Sequence, residues 1–204
     1  MDSEAKKISK ELKEMSPQMV CDTEFGMDDL HKNKKTAAHL ISQKKKILKQ
    51  YKGATLYRVG NKIFLYEERT SKILFFSQFE KKKYGKIGDT LVIQQRCLWS
   101  SGAAAYEENL ASEIFFKTLL KETGTITSDQ QQTMSGMRFW DKKIVQAMKK
   151  GFHVYYVNLM QPFEHIKITS PEQYAELRST HEIWGDDEKH KARRMVISKK
   201  ELKE

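Results

Sequence analysis

The chain is short of the residues that staple or interrupt small folds: two cysteines, Cys21 and Cys97, and three prolines in 204 residues. Cysteines so far apart, with no further Cys or His at ligand spacing, indicate neither a disulfide framework nor a zinc site. Reduced structural thiols and no metal are the expectation. No apolar run approaches the roughly 20 residues of a membrane helix, so no membrane partner is expected. The opening segment, MDSEAKKISKELKEM, lacks the apolar stretch of a secretory signal, which points to the cytoplasm.

Acidic residues are missing from one stretch in particular. After Asp28 and Asp29 come Lys32, Lys34, Lys35, Lys44, Lys45, Lys46, Lys49 and Lys52 with no carboxylate among them. Leu30, Ala37, Ile41 and Leu48 recur at intervals of seven, four and seven, which predicts a helix over 28–51. On it Lys44, Lys45, Lys46 and Lys49 are candidate nucleic-acid contacts, since each lysine set against phosphate releases counterions. The other reading is a solvated helix face. The formal net charge of +10 favours acidic partners: nucleic acid, a phosphorylated cofactor or an acidic protein surface. Ile8, Leu12 and Met15 line the apolar edge of a further short helix ending at Ser16-Pro17. The length suits one core with an appended segment: a basic helical N-terminal part over 1–50, then an α/β core with a C-terminal extension over 51–204.

β-rich runs over 54–59 and 62–66 flank Gly60-Asn61, a hairpin signal. Runs over 72–79 and 87–99 extend it to a four-strand meander, with Lys81, Lys82, Lys83 and Lys86 at the last loop tip. A helix over 109–122 follows, with Leu110, Ile114, Phe115 and Leu119 as its buried stripe and Asn109 as its cap. Gly124 leads into a strand over 125–127. Beyond a polar break, Met137, Trp140, Ile144, Ala147 and Met148 form one helical stripe, stopped by Gly151. Lys142, Lys143, Lys149 and Lys150 fall on other faces and in the last turn. The run 152–157 is apolar on both alternating faces, as in an interior strand. A strand over 163–168, a helix beginning at Ser170-Pro171, a turn that packs Trp184 and a last strand over 195–197 complete the chain. The fold class is α+β or α/β: a mixed, largely antiparallel sheet with flanking helices. Asp129, where a strand ends and the chain turns toward a helix, is the first catalytic candidate; a turn-organising or capping role is the other reading.

This element order, with QRCLWSSG, ENLASEIFFKTLL, TITSD and SGMRFWDKKIVQAMKKGF in it, resembles the GNAT N-acyltransferase fold, and within it the short, divergent GNAT-like proteins of phage genomes. The resemblance covers roughly residues 51–159. It implies transfer of an acyl group from acetyl-CoA or another acyl-CoA to an amine acceptor, nucleic acid or protein. In that family the strand before the first core helix splays from the next strand. Coenzyme A lies in the gap, with its pyrophosphate on amides at the helix start. Carried onto this chain, the cofactor-binding residues are Leu98, Trp99, Ser100, Gly102, Asn109, Ala111 and Ser112. Asp129 and Glu108 are the carboxylates that would take the amine proton. The chain departs from the family twice: Cys97-Leu98-Trp99 follows Arg96 where a glycine-rich phosphate loop belongs, and Phe139-Trp140 stands where a tyrosine hydroxyl is common. An alternative function is therefore a non-catalytic basic protein, viral in the phage reading and acting in the host cytoplasm, that binds nucleic acid or an acidic host protein.

Overall fold

A computed structural model describes residues 27–83, 91–101, 110–129, 134–160, 164–180, 183–184 and 188–202. The expected helix ending near Met15, the tip at Lys86, the break 130–133, and Gly102, Glu107, Glu108 and Asn109 lie outside these residues. The fold is mixed α+β, with mostly antiparallel strands and, among the described residues, four helices. It divides into two compact units, one of residues 27–78 and 96–101, the other of the remaining described residues.

In the first unit α1 (Leu30–Ser42) is followed by β1 (Lys46–Tyr51), β2 (Ala54–Val59), β3 (Lys62–Glu67) and the first part of β4 (Lys72–Lys83), hydrogen-bonded in that order. The Asp29 carboxylate caps α1 by accepting from the Lys32 N–H at 2.9 Å, a bond that holds its pKa below the usual value. Asn33, buried on the inner face of α1, donates to the Met27 and Ile73 carbonyls at 3.1 Å and accepts from the Ile73 N–H at 2.8 Å. One amide thus fastens α1 to β4. Ala37 and Leu40 join Val59, Phe64, Ile73, Phe76, Cys97 and Trp99 in one apolar core.

The helix is shorter than the periodicity predicts. Gln43 is extended (φ −82°, ψ 164°), Lys45 Nζ donates to the Ile41 carbonyl at 2.7 Å, and Lys46–Tyr51 then runs as a strand. Its backbone pairs with β2 from Lys46↔Arg58 to Tyr51↔Ala54, with a register shift between Ile47 and Lys49. Leu48, which completed the helical spacing, sits at that shift. The Gly60-Asn61 hairpin forms as expected, with Gly60 at φ +56°, a conformation that suits glycine at the first position of a tight hairpin turn. Cys97 is disulfide-bonded, which corrects the expectation of a reduced thiol; the other cysteine, Cys21, lies outside the described residues.

In the second unit the strand order is β5-β6-β9-β7-β8, with β5 (Leu91–Ser100), β6 (Thr125–Thr127), β7 (His153–Asn158), β8 (Glu164–Ile168) and β9 (Arg193–Ser198). Strands β4 and β5 pass from one unit to the other, at Gln78/Phe79 and at Gln95/Arg96. β5 and β6 are parallel, and the last strand in sequence lies antiparallel between β6 and β7. Register sets Ile93, Ile126, Ile197, Val154 and Ile168 in one row across all five strands, each buried. The neighbouring row, Gln94, Thr127, Val196, Tyr155 and Lys167, points to the opposite face because side chains alternate along a strand.

Three helices complete this unit. α2 runs over 110–123, as Leu110–Glu113, a π-helical Ile114–Leu119 and Leu120–Thr123, and ends at Gly124 in the left-handed region. α3 (Met134–Lys149) buries Trp140, Ile144 and Ala147 and packs on β7. α4 (Pro171–Thr180) buries Tyr174 and Leu177.

Candidate functional site

The spacing that buries Trp140, Ile144 and Ala147 carries Lys143 to the flank of α3. Lys143 is not solvated there: it is only 5% exposed. Its ammonium donates to the Ser112 hydroxyl on the first described turn of α2, and to Gln146 Oε1 at 3.1 Å. The Ser112 hydroxyl is also 3.4 Å from Gln146 Oε1. The rings of Phe139 and Phe116 lie 5.0 and 6.0 Å from Nζ, so water is replaced by aromatic faces that favour a cation only weakly. Among the described residues no carboxylate pairs with Lys143. Burial, assisted by the neighbouring Lys142 charge, lowers its pKa to about 8.

Ser112 lies just before the π-helical segment, where the Leu120 N–H reaches back five residues to the Phe115 carbonyl. Such widened turns inside helices occur often at functional sites. Phe115 packs edge-on against Trp140 at 5.4 Å, which fixes α2 against α3 beside the Ser112 and Lys143 pair. Chemically this is a desolvated amine and a hydroxyl on the first described turn of α2, which also carries Glu113, with no carboxylate bonded to the amine among the described residues. It can hold an anion, or accept or give a proton near neutral pH.

Asp129 follows the end of β6 and is 5% exposed. Gln94 Nε2 of β5 donates to its Oδ1 at 3.4 Å. Pairing of β6 with β9 continues one step past the strand, since the Ser128 N–H donates to the Met195 carbonyl at 2.8 Å and the Met195 N–H to Ser128 Oγ at 3.0 Å. Arg194, two residues before Val196 on β9, is also buried. Gln94 and Thr127 share a row with Val196, and alternation along β9 sets Arg194 on that same face, where Gln94 also reaches Asp129.

No known protein family and no curated protein matches the chain.

The other anticipated residues fall into place separately. Ala111 is half-buried on the same turn as Ser112. Leu98, Trp99 and Ser100 belong to the first unit, where the Trp99 indole N–H donates to Asp28 Oδ1 at 2.7 Å. Lys44 and Lys45 lie in the connection after α1, and Lys46 and Lys49 on β1, all four exposed. A second polar knot joins α3 and α4. Asp141 Oδ1 accepts from the Tyr174 hydroxyl at 2.6 Å and from the Trp184 indole at 3.2 Å, while Arg178 reaches Oδ2 at 3.3 Å. Burial first, then the Asp141 carboxylate, raises the Tyr174 pKa well above the ordinary phenol value. An open groove of about 370 Å³ beside it is lined by Met137, Ala175, Arg178, Ser179, Ile183 and Trp184. Among the described residues no group of His, Cys, Asp and Glu is placed to hold a metal ion, and no helix is long and apolar enough to cross a membrane. Lys143 was missed from sequence because its Ser112 partner comes from a helix about 30 residues earlier.

Proposed function

We propose that the chain is a GNAT-like acyltransferase that moves an acyl group from an acyl-CoA to an amine. One observation carries this reading: Lys143 and Ser112 form a desolvated cationic pair at the beginning of the helix after β5, where the resemblance locates the cofactor's phosphates. A cation pressed toward its neutral form beside the positive end of a helix is a site short of an anion, and a phosphate would relieve it. The strand pattern supports the same reading. β5 and β6 are parallel and, among the described residues, paired at Ile93↔Ile126 and Gln94↔Thr127, each is followed by a helix, and β9 lies between β6 and β7. The residues invoked all belong to the second unit.

In this scheme Ser112 and Lys143 hold the anionic part of the donor, and Asp129 takes the proton of the attacking amine. The C–N bond forms as the C–S bond breaks, and the departing thiolate is protonated to the free thiol. Gln94 donates to Asp129 and keeps its carboxylate oriented. Phe139 and Trp140 offer no hydroxyl to the thiolate, which leaves its protonation to water. Release of free thiol from acetyl-CoA in the presence of amine acceptors tests the proposal. Amine-dependent release that is lost in Asp129→Asn supports it; no release with any amine, or full release in that variant, counts against it.

A further inference from the structure

The excess of positive charge in this protein is matched by a single span. Of its 37 Lys and Arg, ten lie between Leu30 and Tyr66, a span with no Asp or Glu. The other 27 equal the 27 Asp and Glu of the whole chain, so the span 30–66 carries a charge equal to the entire net +10. β1 is the outermost strand in the order, and Lys44, Lys45, Lys46 and Lys49 are exposed in it or just before it. Lys46 is the register partner of Arg58, which sets two basic residues opposite each other across β1 and β2. Among the described residues neither Lys44 nor Lys46 pairs with a carboxylate. Lysines also guard an exposed edge strand against pairing with other chains. That role does not call for the whole charge of the protein.

We propose that this edge of the first unit binds the phosphate backbone of a nucleic acid without regard to base sequence. One observation favours a nucleic acid over an acidic protein, and a second favours its phosphates over its bases. First, β1 exposes one large apolar side chain, Ile47, too little for the desolvated centre of a protein interface. Second, the rings of Tyr57 and Tyr51 lie 5.8 and 4.7 Å from the ammonium groups of Lys45 and Lys49. One face of each ring thus lies beside a lysine cation, which sets phosphate contacts ahead of base stacking there. The surface is independent of the acyl-transfer proposal.

The test is fluorescence anisotropy of labelled oligonucleotides, single-stranded and duplex, each in two unrelated sequences, titrated between about 50 and 200 mM salt. Expected is binding that ignores sequence and has a steep salt slope. Neutralising Lys44, Lys45 and Lys46 together to Gln lowers that slope by about 2 to 3 units, at roughly 0.7 to 0.9 for each phosphate left without its lysine, and weakens binding at least about tenfold. The relative strength of the single-strand and duplex arms identifies which backbone fits. Changing Lys199 and Lys200 to Gln, in the second unit, should leave affinity within about twofold, since phosphate binding is assigned elsewhere. Circular dichroism checks that both variants fold. Equal weakening in the two variants, an unchanged slope in the triple variant, or equally tight binding of polyglutamate would overturn the proposal.

Discussion

Lys143 donates a hydrogen bond to Ser112 across the packed faces of α3 and α2, with two phenylalanine rings near the ammonium in place of water. A cation so placed weakens the fold unless something negative arrives, and the first consequence is a pH dependence.

The Lys143 pKa is about 8 in the folded protein and lies near the ordinary lysine value, about 10.4, in the unfolded chain. Below pH 8 both states hold the proton, and the full penalty for burying the ammonium is present. Between about pH 8 and 10.4 the unfolded chain binds more protons, so this group makes stability rise with pH. Lys143→Met should be more stable than wild type at about pH 6 to 7, by on the order of 1 kcal/mol after allowance for solvent screening. The advantage should shrink through about pH 8 to 10. Urea unfolding of both proteins across that range measures it; a constant gap contradicts it.

Asn33→Ala should be among the most damaging changes in the first unit. It leaves the Ile73 N–H and the Met27 and Ile73 carbonyls without their side-chain partner in a buried place. The expected loss is about 3 kcal/mol, read from the shift in urea midpoint.

Trp99→Phe removes the 2.7 Å indole bond to the Asp28 carboxylate but keeps most of the ring in the core. A loss of roughly 1.5 to 3 kcal/mol is expected, the range for a hydrogen bond to a charged group. If Trp99 served only a ligand, unfolding of the free protein would be unchanged.

Tyr174 should stay protonated while exposed tyrosines ionise, because burial and the Asp141 carboxylate both oppose the phenolate. In an ultraviolet titration, Tyr174→Phe should therefore leave the number of tyrosines ionising below about pH 11 unchanged. One tyrosine fewer would show that the knot with Asp141 opens in solution.

Much of the fold was legible because its signals are local. The stripe of Trp140, Ile144 and Ala147 needs only helical spacing, and Gly60-Asn61 names its own hairpin. β1 was not legible: its lysines carry little alternation, and Leu48 happened to extend a helical spacing. Pairing with β2 through backbone groups decides that segment. The strand end at Asp129 was readable as a break after a β run, whereas its hydrogen bond from Gln94 spans 35 residues. Lys143 read as one lysine among several, since nothing in α3 announces that α2 will cover it.

The acyltransferase account is tested most directly by the dissociation constant for acetyl-CoA, measured by calorimetry from about pH 6.5 to 9.5 in about 150 mM salt, where charge attraction to a basic surface is screened. The expected result is saturable binding that weakens as pH rises through about 8, when Lys143 loses its charge. In Ser112→Ala binding should be weaker, and in Lys143→Met weaker and nearly independent of pH over that interval. Absence of saturable binding, or affinity that neither variant alters, would contradict it.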